Sequence, residues 1–347
     1  MGPHTAWIAS LSPWPEEFGL ERMHALLAEL GNPERAFPSV HVVGTNGKST
    51  ATRTIAALLE AEGQTVGAYT SPHVSGWGER LDTDAEGFER AVGRIRPPAE
   101  RVGATQFEAL TAAALTEFAA RGVDVAVVEA GLGGRLDATN VLAAPVVHLT
   151  NVSLEHTEVL GGTREAIARE KLAVVAPGAI AVLGEAEWAR LLPDNEVRVG
   201  GAREAADAFL GRSVTGDVEV RLPGRLDWRA DDEVWDGAHT PEAVDWLLER
   251  LPEGRWVVVA SILRDKDVDG MLERLARVAG TVVATQSSNA RSLPAAELAD
   301  RARRYGSRVV AVEDPAAAVR TAHEFGGPVL VTGSLYLLAD LYAAEWP

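Results

Sequence analysis

The chain has 347 residues, enough for two domains with separate cores, and its 46% hydrophobic and 24% charged content is that of a globular protein. With 33 basic residues against 50 acidic ones the formal charge is −17, which disfavours general binding to nucleic acid, and the scattered acidic residues describe a solvated surface. Cysteine is absent, no run approaches the roughly 18 apolar residues of a membrane span, and Met1–Ser10 lacks the regions of a signal peptide. A cytoplasmic protein with neither nucleic acid nor membrane as partner is expected.

Taken in order, the chain alternates strands and helices. Ser39–Val43 is a β-branched run ending at a glycine, and Lys48–Ala61 carries Thr54, Ile55, Leu58 and Leu59 on one helical stripe closed by Gly63. Strands are predicted at Thr65–Tyr69, Val123–Val128, Pro145–Leu149 and Ile180–Leu183, with helices over Phe107–Ala120 and Thr163–Val174. The stretches Gly200–Gly201 and Gly211–Gly216 suggest loops, and a boundary is placed near Arg221–Pro223. Beyond it, strands at Val234–Trp235, Trp256–Ala260, Val282–Ala284, Val309–Val312 and Val329–Val331 alternate with helices near Pro241–Arg250, Val268–Val278, Pro294–Tyr305 and Pro315–Phe325. Such alternation predicts two α/β domains, over residues 1–221 and 222–347, each a mostly parallel sheet covered by helices.

The strongest local signal is Gly44-Thr45-Asn46-Gly47-Lys48-Ser49-Thr50, set between a strand and a helix. Glycines let backbone N–H groups approach phosphate oxygens, and a helix N-terminus adds partial positive charge. Lys48 is placed to reach the outer phosphates and Ser49 to touch Mg²⁺. The spacing lacks the glycine that a Walker loop has where Val42 stands. Glu129 follows a buried strand, and Asp236 ends another just before Gly237; both are ligand-facing positions in open α/β sheets.

This shortened loop resembles that of the Mur ligase superfamily. Further blocks narrow the resemblance to folylpolyglutamate and dihydrofolate synthases: Ser71-Pro72-His73, Phe107-Glu108-Ala109-Leu110-Thr111, the run Glu129–Asn140, Thr150-Asn151, His156-Thr157 and Glu170-Lys171. Leu222-Pro223-Gly224-Arg225, Asp236-Gly237-Ala238-His239 and Thr332-Gly333-Ser334-Leu335-Tyr336 complete the order. The resemblance implies an N-terminal P-loop-type ATPase domain and a smaller Rossmann-like C-terminal domain. It implies an ATP-dependent ligase that activates a carboxylate as an acyl phosphate and joins it to L-glutamate, the acid being dihydropteroate, tetrahydrofolate or both. A Mur-type ligase with another acid or amino acid, and a non-catalytic nucleotide-binding homologue, are the alternatives.

The resemblance also assigns roles. Gly44 to Thr50 hold the nucleotide phosphates, with Arg225, Asp236 and His239 contributing from the second domain. Mg²⁺ falls to Ser49, Ser71, Glu129 and His156, and a second ion to Lys171, which looks like the lysine carbamylated in many Mur-type ligases. Lys48, His156 and Lys171 are the catalytic set. Thr105, Phe107, Asp137 and Ala138 match the pterin pocket, where a ring can stack and a carboxylate can pair with the amino-amide edge. Family precedent implies a monomer. The chain departs from the family in being short between Leu183 and Arg221, and in carrying Glu155, Thr240 and Ser49 where aspartate, asparagine and glycine are usual.

Overall fold

The structure, a computed structural model, describes residues 2–345. It divides into two compact units: Met1–His73 with Trp77–Val220, and Arg221–Pro347 with the short segment Val74–Gly76.

The first unit is built on six parallel strands: β1 (Ser39–Val43), β2 (Val66–Tyr69), β3 (Val125–Glu129), β4 (Val146–Leu149), β5 (Ile180–Leu183) and β6 (Glu196–Val199). Their spatial order is β2-β3-β1-β4-β5-β6. The β-branched run of β1 is buried on both sides because it lies between β3 and β4 under helices. One face takes the helices Lys48–Ala61 and Ala202–Leu210, whose Ile55, Leu59 and Ala205 pack on Val40, Val42 and Val127. The other takes the alanine-rich helix Gln106–Arg121, whose small side chains admit Ala85–Val102 at close range. The strand order reverses between β1 and β4, where ligands of open α/β sheets collect. The register sets Val42 beside Glu129 and Val43 beside Leu149, so Gly44, Glu129 and Thr150 emerge together at that edge.

Gly200–Gly201 and Gly211–Gly216 are loops as expected, and β6 and the helix Ala202–Leu210, unassigned from the sequence, lie before and between them. Two of these glycines mark the helix ends: Gly201 N–H donates to the Glu204 carboxylate at 2.7 Å, and Gly211 closes the helix at φ +67°. Helices at Pro3–Ser10, Glu21–Glu29 and Ala85–Val102, unassigned from the sequence, add a layer over Gln106–Arg121. Asp84 caps the last of these on the Gly87 amide, and Pro97 and Pro98 lie inside it.

The second unit repeats the architecture with β7 (Asp227–Ala230), β8 (Glu233–Trp235), β9 (Trp256–Ala260), β10 (Ala279–Ala284), β11 (Arg308–Ala311) and β12 (Val329–Thr332). Their order is β11-β10-β9-β12-β8-β7, parallel throughout except for the antiparallel edge pair β7–β8. That edge strand is the one element that makes the sheet mixed. Among the described residues no helix is long and apolar enough to cross a membrane.

Candidate active site

At the carboxyl end of β1 the chain turns through Gly44, whose φ of +147° and whose contact with the Thr150 hydroxyl leave no room for a side chain. The loop is then held from below by the residues after β4. Thr45 N–H donates to Asn151 O at 2.9 Å, Asn46 N–H to Asn151 Oδ1 at 2.9 Å, and the Thr150 hydroxyl to Asn46 O at 2.8 Å. Gly47, at φ +77°, opens the helix Lys48–Ala61, whose N-terminus carries no side-chain cap. Lys48 Nζ donates back to Thr45 O at 3.0 Å.

Three of the predicted residues meet beneath this loop. Glu129, 1% exposed at the end of β3, accepts from the Ser49 hydroxyl on Oε1 at 3.1 Å and from Ser71 N–H on Oε2 at 2.9 Å. Lys171 is buried at the end of the helix Arg164–Leu172, and its Nζ donates to Gly44 O at 2.7 Å. Burial, with Lys48 adding repulsion, lowers its amine to about 8. The glycine pair of the signature run explains this placement. A Cβ on Gly134 would stand 2.6 Å from Lys171 O and 2.7 Å from Glu170 O, so only glycine lets the loop press on the helix end.

His156 caps the short helix Thr157–Leu160 in the left-handed region, with Nε2 3.1 Å from Glu155 Oε1 and 39% of its side chain exposed. Burial opposes ionisation of Glu155, but His156, Lys48 and Lys171 outweigh it and hold the carboxyl at about 2. Two lysines and one carboxylate therefore form a compact charged group beside the loop. Thr50 is exposed on the first turn of the helix. Among the described residues no group of three or more histidine, aspartate or glutamate side chains is disposed to hold a metal. The local oxygen donors are the Glu129 carboxylate and the Ser49 hydroxyl, hard ligands of the kind Mg²⁺ takes.

Thr105, Phe107, Asp137 and Ala138 line one pocket, together with Leu132 and Leu136. Thr105 is the N-cap of the helix Gln106–Arg121 in a capping box: its hydroxyl donates to Glu108 Oε2 at 2.9 Å and accepts from Glu108 N–H. Glu108 in turn takes Arg22 Nε at 3.0 Å. The Phe107 ring lies 6.1 Å from that of Tyr69, and its tip would be 2.5 Å from a Cβ on Gly131. Asp137 is buried, and all four lone-pair directions of its carboxylate are filled. Oδ2 accepts from Gly131 and Leu132 N–H at 3.0 and 2.8 Å, and Oδ1 from Thr139 N–H and hydroxyl at 3.0 and 2.5 Å. Burial pushes this carboxyl up, against the pull of those hydrogen bonds.

Sequence reasoning passed over what holds Thr139. Its hydroxyl is 2.8 Å from Nε2 of His41, a fully buried residue of β1. Since that hydroxyl donates to Asp137, it accepts from His41 Nε2–H. A buried chain thus runs from the strand that carries the phosphate loop to the pocket carboxylate. Thr150 and Asn151, quoted only as a motif, are the other residues whose work was hidden. No spacing rule shows that they fold back onto Asn46.

In the second unit Asp236, ending just after β8, accepts Leu226 N–H on Oδ2 at 2.7 Å and Ala238 N–H on Oδ1 at 2.8 Å, and burial raises its carboxyl. It ties the turn 222–226 to the loop 236–239. Arg225 donates to Pro223 O at 3.1 Å, and His239 Nδ1–H to Gly237 O at 2.8 Å.

The comparisons with known proteins agree with this architecture. The Mur ligase middle domain family matches residues 42–196, and the Mur ligase glutamate ligase domain family matches residues 224–335. The chain is 32% identical to the dihydrofolate synthase/folylpolyglutamate synthase of Mycobacterium tuberculosis over 383 aligned residues, covering 82% of this chain and 78% of that protein. It is also 32% identical to the folylpolyglutamate synthase of Lacticaseibacillus casei, covering 91% and 92%. Among solved structures, E. coli FolC in complex with DHPP and ADP superposes with a TM-score of 0.88 at 27% identity, covering 99% of this chain and 98% of that one. The bifunctional folylpolyglutamate synthase/dihydrofolate synthase of Yersinia pestis complexed with AMPPNP and Mn gives 0.84 at 29%, again over 99% and 98%. The chain therefore belongs to the dihydrofolate synthase/folylpolyglutamate synthase family of the Mur ligases, and its activity is that of an ATP-dependent carboxylate–amine ligase.

Proposed function

We propose that the chain adds L-glutamate to dihydropteroate, to tetrahydrofolate or to both, using the residues gathered beneath Gly44. The observation that carries this reading is the meeting of Ser49, Ser71 and Glu129 under a loop whose shape Thr150 and Asn151 fix. In the first step a carboxylate oxygen of the acid attacks the γ-phosphorus of ATP and ADP leaves. In the second, the glutamate amine attacks the acyl carbon, phosphate leaves, and the amine gives up a proton. The protein's part is positioning and charge neutralisation.

Backbone amides of the loop and Lys48 would take the polyphosphate. Ser49, Glu129, Ser71 and His156 would hold a divalent cation, whose contribution when bound is to neutralise phosphate charge. Arg225, Asp236 and His239 are assigned to the nucleotide on sequence resemblance. Asp236 then acts by holding the loop that presents His239, since its oxygens already serve Leu226 and Ala238.

Lys171 is assigned as the site of carbamylation. An amine lowered to about 8 is unprotonated in roughly a tenth of molecules at pH 7, enough to trap carbon dioxide. The carbamate nitrogen keeps one hydrogen, which can still donate to Gly44 O while the new carboxylate would serve a second cation. Thr105, Phe107, Asp137 and Ala138 are assigned to the pterin. Phe107 supplies a ring face, and Asp137 shapes the wall that meets the pterin's edge. The enzyme is proposed to act as a monomer in the cytoplasm, which size-exclusion with light scattering and cell fractionation would check.

The decisive experiment is a coupled ADP assay with dihydropteroate, tetrahydrofolate and its monoglutamate, each with and without L-glutamate, followed by product mass. ADP release requiring both an acid of this class and glutamate is expected, and it should vanish in Glu129→Gln. Release without either partner, or none with any pair, would defeat the reading. For the carbamate, Lys171→Ala should be inactive and recover with added short carboxylates; full activity without them would refute it.

A further inference from the structure

Ser49 and Arg53 stand four residues apart on the helix Lys48–Ala61, so their side chains share a face, yet only Ser49 belongs to a motif. Arg53, with its side chain only 14% exposed, binds two points near the end of the segment that begins at Ser71. Its Nη2 donates to Glu79 O at 2.7 Å, and its Nη1 pairs with the Asp82 carboxylate. Asp82 turns there through a φ of +53°, a conformation that aspartate tolerates better than most side chains.

Glu79 O accepts a second hydrogen bond. The Thr70 hydroxyl donates to it at 3.1 Å, and Thr70 N–H donates to Arg80 O at 3.0 Å, so the segment 71–79 is drawn shut at its neck. Thr70 is buried and precedes Ser71, whose N–H donates to Glu129 Oε2. The contacts close a ring that runs from Ser49 through Glu129, Ser71, Thr70 and Glu79 to Arg53, and back to Ser49 along one helical turn. A guanidinium buried to this degree is costly to desolvate, and its Nε has no partner among the described residues. What the buried charge secures is the spacing between the helix and the Ser71 segment.

Resting on the cation assignment of Ser49, Ser71 and Glu129, we propose that Arg53 is a positioning residue for the divalent cation. It acts through Glu79 and Thr70, and by closing the ring it holds Ser71 at a set distance from Ser49 and Glu129. The phosphate-loop amides lie outside the ring and keep their own supports, Thr150 and Asn151. Loss of Arg53 therefore weakens the cation's contribution and spares the cradle.

The test is the affinity for the non-hydrolysable nucleotide AMPPNP, measured by calorimetry with Mn²⁺ and with EDTA in its place. Mn²⁺ should tighten binding to wild type, and Glu129→Gln should abolish that gain. Residues that orient metal ligands contribute roughly 10- to 100-fold to metal affinity, so Arg53→Ala should raise Kd with Mn²⁺ about 10-fold and leave Kd in EDTA within about 2-fold. Thr70→Val opens the ring at another link and should do the same. Arg53→Lys keeps the charge without the fork and should fall between wild type and Arg53→Ala. An opened ring has nothing more to release, so Arg53→Ala/Thr70→Val should match the single variants. Equal weakening with Mn²⁺ and with EDTA, an unchanged Kd in both single variants, or a double variant whose losses multiply would each overturn the ring. In those cases a gain lost in Glu129→Gln leaves the cation site standing. If Mn²⁺ gives wild type no gain, the cation site and the ring fall together.

Discussion

Thr139→Val removes one hydroxyl from the buried chain His41–Thr139–Asp137 while keeping the side-chain volume. Two groups lose by it. Asp137 Oδ1 forfeits its 2.5 Å donor, a hydrogen bond to a charged acceptor worth about 1.5–3 kcal/mol. His41 Nε2–H, at zero exposure, loses its acceptor at 2.8 Å, and an orphaned buried donor costs about 1–3 kcal/mol. The ring has no reserve, because Nδ1 is already without a partner among the described residues. A destabilisation of roughly 3–5 kcal/mol is therefore expected. Converting the histidine as well, in His41→Leu/Thr139→Val, removes the orphan and leaves only the loss at Asp137. The double variant should accordingly be more stable than the sum of the single effects by roughly 1–3 kcal/mol. Urea unfolding of the four proteins at pH 7.5 measures this directly. A Thr139→Val protein within about 0.5 kcal/mol of wild type, or a strictly additive double variant, would show that the chain is not the coupled unit its geometry describes.

Acid should expose the same histidine. Burial lowers His41 from 6.5 to about 4, so the folded state binds fewer protons than the unfolded one below pH 6.5. Stability is thus level above that pH and falls as pH drops toward 4, by about 3 kcal/mol from this residue. His41→Leu should flatten that part of the urea midpoint's slope between pH 6.5 and 4.5, and an unaltered slope would count against it. Gly134→Ala would drive a Cβ to 2.6–2.9 Å from backbone atoms of residues 170 and 171. Backbone cannot turn aside as a side chain can, so a loss of about 1–3 kcal/mol with reduced activity is expected, checked by thermal melts and ADP release. Thr150→Val deletes the donor to Asn46 O, and KM for ATP should rise about 10-fold with the dihydropteroate KM unchanged. Equal shifts in both constants would show that Thr150 does not act on the loop alone.

The parts of the fold legible in the sequence were those whose signal is local. β5 and β9 are continuous apolar runs and β1 a valine-rich one, all of them almost wholly buried, and their limits agree with the residues expected from the sequence. The helix Ala202–Leu210 was obscured because the glycines that end it read as loop residues, and their meaning depends on Glu204 reaching back to Gly201. Ala85–Val102 was obscured by Pro97 and Pro98, which argue against a helix anywhere but inside a layer that holds it by tertiary packing. The edge strand β7 pairs only with β8, and a four-residue run ending in a bulge carries too little pattern to be seen.

The site divides along the same line, and its three buried acids show why. Glu129 and Asp236 stand at strand ends, which sequence position alone marks as ligand-facing, whereas Asp137 lies in the loop beyond β3 and was assigned by resemblance. What separates them is the chemistry of their donors. Asp236 holds two backbone amides, and Asp137 holds three amides and a hydroxyl that is itself held by His41. Those donors have nowhere to turn, so these carboxylates act as staples for the loops that carry neighbouring residues. Glu129 differs in that, beside the Ser71 amide, one of its donors is the rotatable hydroxyl of Ser49. A hydroxyl can reverse from donor to ligand at the cost of a single torsion. The acid that can give up a partner is the one equipped to take a cation, and that distinction depends on donors that arrive only with the fold.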